Sequence, residues 1–289
     1  MTNDRLLDQL ETDGWVVMPG LLPPAELGRL RDETGRHLAA VADGSARPIV
    51  RVENDTPFRV ENLAAYPIGD RSVLAARMNP VALDLMARLL GADVISFGSV
   101  MVFKLPSAGP AVAMHRDIAE GVFSDDHLWI AAGFYLDDSG EDNGCLWVVP
   151  GSHRLTGQDL AAELELGLDS PSAVPLPVRA GSLLLHDSRL LHGSRPAVRG
   201  GLRRVLYHSY QSACWMHREG LKRSFKPDDA WLAESFALMD WGRELRAGFG
   251  YPDPVSSWTI PSDWAALSSA VARGDDLAVI RYRATDTTR

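Results

Sequence analysis

The sequence predicts a mainly β protein, a sandwich or barrel with helical flanks. From about residue 93 the apolar pattern changes from helical spacing to β-branched and aromatic runs, beginning with "DVISFGSVMVFKLP". The runs "HLWIAAGFYLDD", "GCLWVVPGSH", "GSLLLHDS" and "RRVLYHSYQSA" follow, punctuated by Gly, Pro, Asn and Asp. Consecutive strands with turn signals between them favour a sandwich or barrel over βαβ units.

Residues 1 to 45 read as helical. In "PPAELGRLRDETGRHLAAVADG", Leu27, Leu30, Thr34, Leu38 and Val41 recur at steps of three and four, between Pro23-Pro24 and Gly44. A second helix has Asn79 to cap it, Pro80 in its first turn and Gly91 to close it. The strands come next. After Trp215 the chain turns helical again, through "PDDAWLAESFALMDWGRELRAGFG" and "PSDWAALSSAVARG", and ends on a frayed "ATDTTR". One domain is expected over 1–289, with a helical part at 1–92, a β core at about 93–212 and a helical extension at 213–289.

Composition narrows the class. The chain has 289 residues, 46% of them hydrophobic and 23% charged, as in an ordinary globular enzyme. A net charge of −9 argues against nucleic-acid wrapping and anionic membrane attachment. Cys145 and Cys214 form no CxxC motif, so both are expected to be buried filler in a reducing cytoplasm. The N-terminus lacks an apolar signal core, and no apolar run reaches membrane-spanning length. A cytoplasmic enzyme with no nucleic-acid or membrane partner is the expectation.

The stretch "AVAMHRDIAEG" sets His115 and Asp117 two residues apart on an extended segment. A kinase catalytic loop is excluded, because position 122 is Val122 and no G-x-G-x-x-G lies upstream. A satisfied polar pair and two-thirds of a metal site both stay open. His192, in "SLLLHDSRLLHGS", offers a third ligand. Residues i and i+2 of one strand share a face, and a second strand can bring the last histidine. Two histidines and one carboxylate on one side of a metal suit non-haem Fe(II), which must also bind a cosubstrate and dioxygen. His186 is an alternative ligand or a strand residue facing a polar neighbour. His153 reads as a loop histidine bonded to backbone. His208 and His217 have no motif context. Turn residues at Pro196 and Gly200-Gly201 predict a hairpin that folds Arg203 and Arg204 back near His192–Ser194. Strand parity lets only one arginine point into the site, where a guanidinium can grip a carboxylate.

"DGWVVMPGLLPPAELGRLR", "HRD" at 115–117, "NGCLWVVPGSH" at 143–153 and "HGS…LRR" at 192–204 together resemble the phytanoyl-CoA dioxygenase family of Fe(II)/2-oxoglutarate-dependent oxygenases. The resemblance covers roughly residues 10 to 210. It implies a double-stranded β-helix, or jelly roll. It implies iron held by His115, Asp117 and His192, with 2-oxoglutarate and dioxygen as cosubstrates. Arg203, placed 11 positions after the last histidine, would bind the distal carboxylate of 2-oxoglutarate, assisted by Ser194 and more loosely by Arg59. Where the family often has an aromatic residue, this chain has Gly133, which leaves extra room for substrate. Asp117 is intact, which implies hydroxylation or a related oxidation rather than halogenation.

The implied activity oxidises an unactivated C–H bond of a small molecule, in bacterial specialised metabolism. The resemblance does not require a CoA thioester, since it extends to relatives that oxidise free amino acids, alkaloids, terpenoids and antibiotics, and no basic phosphate-binding cluster is evident. Trp129, Phe134, Tyr135, Trp147, Tyr207 and Trp215 are candidates to line the pocket. The rival readings are a noncatalytic or non-oxidative jelly-roll metal protein and a small-molecule-binding sandwich with a structural H-x-D pair. A monomer or a homodimer is expected. The 227–250 helix is apolar around much of its circumference, so cover is expected from the β core and from a substrate lid or a second subunit.

Overall fold

A computed structural model describes residues 3–42, 50–53, 56–61, 71–118, 128–220, 226–254 and 256–271. In chain order its elements are α1 (Asn3–Asp13), β1 (Trp15–Met18), α2 (Pro24–Ala42), β2 (Val50–Glu53), β3 (Thr56–Glu61), α3 (Arg71–Ala76) and α4 (Pro80–Leu90). Then come β4 (Val94–Lys104), β5 (Val112–His115), β6 (Ile130–Tyr135), β7 (Leu146–Val148), α5 (Gly157–Leu166), β8 (Val174–Leu176), β9 (Leu183–Asp187) and β10 (His192–Ser194). The chain closes with β11 (Arg203–Ser212), α6 (Ala213–Glu219), α7 (Asp229–Phe249) and α8 (Ser262–Ala270). It forms two compact units, residues 1–22, 50–60 and 101–207, and residues 23–49, 61–100 and 208–289.

The smaller sheet and most strands of the larger one lie in the first unit. One sheet runs β1-β9-β6-β11-β4-β3-β2 and the other β5-β10-β7-β8. Tyr135, Leu184 and Val205 from the larger sheet pack against Leu146, Val148 and Leu176 from the smaller, so the core lies between the sheets. Alternate residues of each strand enter that core. This is the jelly-roll architecture the resemblance implied.

Two expectations are corrected here. The stretch 1–45 is not helical throughout. Gly14, at φ +83°, ends α1, and Trp15–Met18 forms β1, paired antiparallel with β9. Its four residues alternate half-buried and buried, which is strand periodicity in a segment too short to announce it. Nor do β10 and β11 form a hairpin. β10 pairs with β5 and β7, whereas β11 lies between β6 and β4 in the opposite sheet. The Gly200-Gly201 bend carries the chain from the smaller sheet to the larger, so Arg203 lies on the facing sheet.

The second unit is largely helical. Asn79 caps α4 by accepting from the Ala82 amide (3.3 Å), and Gly91 closes it at φ +103°. Asp228 caps α7, accepting from the Trp231 amide at 2.8 Å. α7 buries Leu232, Phe236, Met239 and Arg246, among others. A Cβ on Gly242 would stand 2.6 Å from the Leu74 carbonyl, so glycine is what lets α7 lie close on α3. Trp264 of α8 stacks on Phe236 with ring centroids 5.5 Å apart. Arg246 ion-pairs with the buried Glu26 and with Asp253. α3 and α8 pack against α7, and Met239 of α7 meets the Ser96 amide of β4 at 3.2 Å.

Candidate metal centre

The smaller sheet builds the site. His192 on β10 stands directly opposite His115 on β5. A Cβ on Gly193 would lie 2.8 Å from the Val112 carbonyl, so the glycine between His192 and Ser194 permits this close strand approach. Beyond β5, the Asp117 amide donates to the Ser188 carbonyl at 2.9 Å, which turns the carboxylate back toward both imidazoles.

Each histidine is oriented by its own backbone. His115 Nδ1 lies 2.9 Å from the Ala113 carbonyl, and His192 Nδ1 lies 2.9 Å from the Leu190 carbonyl. A carbonyl only accepts, so both Nδ1 atoms carry the proton and both Nε2 lone pairs stay free. Those Nε2 atoms face Asp117 Oδ1, at 4.0 Å from His115 and 3.8 Å from His192. The three ligand atoms all lie within 4.8 Å of one another. Neutral imidazole nitrogens and a carboxylate oxygen are the donors of a two-histidine, one-carboxylate iron site, so the set fits Fe(II).

His186 completes the surroundings. It is buried on β9 of the larger sheet, and its Nε2 donates to Asp117 Oδ2 at 3.2 Å. One carboxylate oxygen is thereby tied down and the other faces the metal position. The sequence reading of His186 as a strand residue facing a polar neighbour is what the geometry shows. Burial pulls the Asp117 carboxyl upward, but His192 foremost, then the His186 bond and His115, hold it well below the usual carboxylate range. Burial pushes the His192 imidazole down to about 3 against the pull of Asp117, so it is neutral at physiological pH.

The remaining predicted residues fall into place unevenly. Arg203 is only 1% exposed and donates from Nη1 to the Gly144 carbonyl at 2.6 Å. Its Nε has no hydrogen-bond partner, and among the described residues no carboxylate lies within ion-pairing distance. A buried guanidinium in that state favours an anionic ligand. Arg204 points the other way, to Asp137, with side-chain bonds of 2.8 and 2.9 Å. Ser194 is buried on β10, two residues past His192. Arg59 lies on β3 opposite Arg51, and its side chain falls outside the described residues. Lys104, which the sequence reading did not single out, is buried nearby and donates to the Pro110 and Arg195 carbonyls at 2.6 and 2.5 Å.

Other expectations are settled by contacts. His153 Nε2 meets the Glu11 carbonyl at 3.1 Å, as expected of a loop histidine. His208 bonds to Ser99 Oγ at 2.8 Å, and His217 pairs with Asp229. Cys145 is buried, but Cys214 is exposed, contrary to expectation. The extra room expected at Gly133 is absent. A Cβ there would meet Tyr207 Cε1 at 2.7 Å, so the Tyr207 ring fills the space. Of the aromatic candidates, Tyr135 on β6 and Tyr207 on β11 lie on neighbouring strands of the larger sheet. Trp147 stacks instead with Arg195 at 4.6 Å. Beside His115 a cavity of about 270 Å³ is lined by Met114, Leu160, Ala161 and Leu164, with Gly157 and Arg116.

A jelly roll with a two-histidine, one-carboxylate set and a buried arginine across the core defines a non-haem Fe(II)/2-oxoglutarate-dependent oxygenase. The chain belongs to the phytanoyl-CoA dioxygenase family, whose profile it matches over residues 10–205. It is 34% identical over 108 residues to phytanoyl-CoA dioxygenase 1 of Oryza sativa subsp. japonica, covering 33% of this chain and 37% of that protein. With the methylphosphonate hydroxylase of Gimesia maris it shares 26% identity over 215 residues, covering 72% and 80% of the two chains. The crystal structure of AviO1 from Streptomyces viridochromogenes Tue57 superimposes with a TM-score of 0.60 and 26% identity, over 73% of this chain and 96% of that one. Among the described residues no helix is long and apolar enough to cross a membrane.

Proposed function

We propose that this protein hydroxylates an unactivated C–H bond of a small molecule, in the cytoplasm, as a step of bacterial specialised metabolism. His115, Asp117 and His192 would hold Fe(II). Arg203 would anchor the distal carboxylate of 2-oxoglutarate, with Ser194 and Arg59 assisting. The carrying observation is the convergence of two free Nε2 lone pairs and one carboxylate oxygen, each fixed by a separate hydrogen bond. When bound, iron, 2-oxoglutarate and dioxygen supply the oxidising chemistry, coupling decarboxylation to succinate and CO2 with oxidation of the substrate.

The chain's own residues set the geometry. Backbone carbonyls fix both imidazole tautomers, and His186 fixes the carboxylate. Arg203 would approach the cosubstrate from the facing sheet, its Nε unpartnered and free to take the distal carboxylate. The cavity beside His115, lined in part by Met114, Leu160, Ala161 and Leu164, offers the apolar part of a substrate a wall. The Gimesia maris relative bears the name of a hydroxylase, which accords with an intact Asp117. A metal protein without the oxidative cycle has no use for a buried arginine whose Nε is left without a partner. Succinate formation and oxygen uptake by the purified protein, each dependent on added Fe(II) and 2-oxoglutarate, test the proposal. A metal-loaded protein that forms no succinate would overturn it.

A further inference from the structure

Residues 149–155 lead from β7 toward α5 and supply no metal ligand, yet they bond to both halves of the ligand set. On one side stands Arg116, the residue between His115 and Asp117. Its Nη2 donates to the Leu155 carbonyl at 2.9 Å and also to the Ser152 carbonyl. On the other side stands Leu191, the residue before His192. Its amide donates to the Ser152 hydroxyl at 2.8 Å, and its carbonyl accepts from the Val149 amide at 3.0 Å. Ser152 and Leu191 are both fully buried, so water cannot stand in for the bond between them.

The stretch has its own anchors. The Ser152 and Leu155 amides close short turns onto the Val149 and Ser152 carbonyls, each at 3.1 Å. The Gly151 amide donates to the Asp13 carbonyl at 2.9 Å. Arg154 donates from Nη1 to the Glu11 and Thr12 carbonyls, each at 2.7 Å. Residues 149–155 are thereby tied to the C-terminal end of α1, independently of the strands that carry the histidines. Strand pairing alone leaves the ligands less firmly related. β5 and β10 have only four and three residues, and their register shifts between His192 and Ser194. Asp117 lies beyond β5 altogether.

We propose that Arg116 and Ser152 form a bracket that fixes the H-x-D pair relative to His192, and so sets how tightly the metal is held. The bracket rests on the metal-site reading above. It gives the middle residue of the H-x-D motif a role of its own, because an anchored side chain between two ligands limits how far either can turn. Arg116 and Ser152 are positioning residues, since neither offers an atom to the metal.

The experiment is calorimetric titration of the metal-free protein with Mn(II), with thermal unfolding of each variant in parallel. Arg116→Met keeps an apolar stem and removes the guanidinium. Ser152→Ala leaves the buried Leu191 amide without its acceptor. Each is expected to bind Mn(II) about ten-fold more weakly, as partners that orient ligating groups typically carry a 10–100-fold effect. Arg116→Lys keeps a cationic donor on the stem and should recover most of the loss. The double variant should lose less than the sum of the single ones, because both act through one stretch of chain. Arg204→Ala, which loses its bonds to Asp137, is the stability control and should melt earlier with Mn(II) affinity unchanged. Wild-type Mn(II) affinity in Arg116→Met and Ser152→Ala overturns the bracket. An equal loss of affinity in Arg204→Ala also overturns it, by making the effect one of general destabilisation. No recovery in Arg116→Lys, or additive losses in the double variant, overturns the joint action of the two residues. Should Ser152→Ala not fold, the two Arg116 variants decide. Failure of the wild type to bind Mn(II) at all overturns the metal-site reading, and the bracket with it.

Discussion

Replacing Arg203 and Arg204 in turn should damage different properties of the protein. Arg203 offers a buried, unpartnered Nε to the core, while Arg204 is occupied by Asp137. Losing a charge-assisted bond to a carboxylate costs about 1.5–3 kcal/mol. Arg203→Ala should therefore weaken 2-oxoglutarate binding by about 10- to 100-fold, because each 1.4 kcal/mol is a factor of ten. Arg204→Ala removes side-chain bonds of 2.8 and 2.9 Å to Asp137, whose side chain is 17% exposed. Its cost falls on folding, about 1–3 kcal/mol, or a drop in Tm of about 2–4 °C for each kcal/mol. The assay pairs 2-oxoglutarate titration of the Mn(II)-loaded variants with thermal unfolding. If Arg204→Ala lost the cosubstrate while Arg203→Ala only melted earlier, the assigned strand parity would be wrong.

His186→Leu should weaken Mn(II) binding about ten-fold, since partners of ligating groups typically carry a 10–100-fold effect, and calorimetric titration reads it. Gly193→Ala sets a Cβ 2.8 Å from the Val112 carbonyl and should cost about 1–3 kcal/mol of stability, with metal affinity falling alongside it in the same calorimetry. Burial, and then Arg77, hold the His208 imidazole well below its ordinary value of 6.5. The unfolded chain thus binds a proton that the folded one refuses, and stability falls as pH drops below about 6.5, by about 1.4 kcal/mol per pH unit. His208→Gln should flatten that slope in urea unfolding of the metal-free protein. An unchanged slope would show that His208 does not contribute to it.

Much of the β core was legible because β4, β6 and β11 carry β-branched and aromatic residues in runs long enough to show a period, and β9 is an unbroken apolar run, Leu183–Leu185, between turn signals. β1, β7, β8 and β10 have three or four residues each, and in β1 the sequence context looked helical. The metal-ligand candidates were readable because H-x-D sets two donors two residues apart and His192 precedes the glycine that permits close pairing, although Asp117 lies just past β5 and reaches the site through its bond to Ser188 rather than along a strand face. His186 could not be told apart in the same way. It lies on the sheet opposite the ligands, and the sequence carries no mark of what faces a residue across a sandwich. The same limit produced the hairpin error, since adjacency in sequence suggested pairing where Gly200-Gly201 instead crosses between sheets. Gly133 was noticed, but its meaning depends on Tyr207, 74 residues later (207 − 133) on a neighbouring strand. The cover of α7 was likewise hidden, because α3 comes from far earlier in the chain.

The central claim is that His115, Asp117 and His192 form an iron site that drives 2-oxoglutarate turnover. Succinate formation by the wild type and by Asp117→Ala, with Fe(II) and 2-oxoglutarate supplied and Fe(II) affinity measured in parallel, tests it most directly. Asp117 supplies the only anionic ligand of the proposed set. The account predicts succinate from the wild type, and from Asp117→Ala weakened Fe(II) binding with succinate formation at the metal-free background. Near-normal turnover by Asp117→Ala would contradict it.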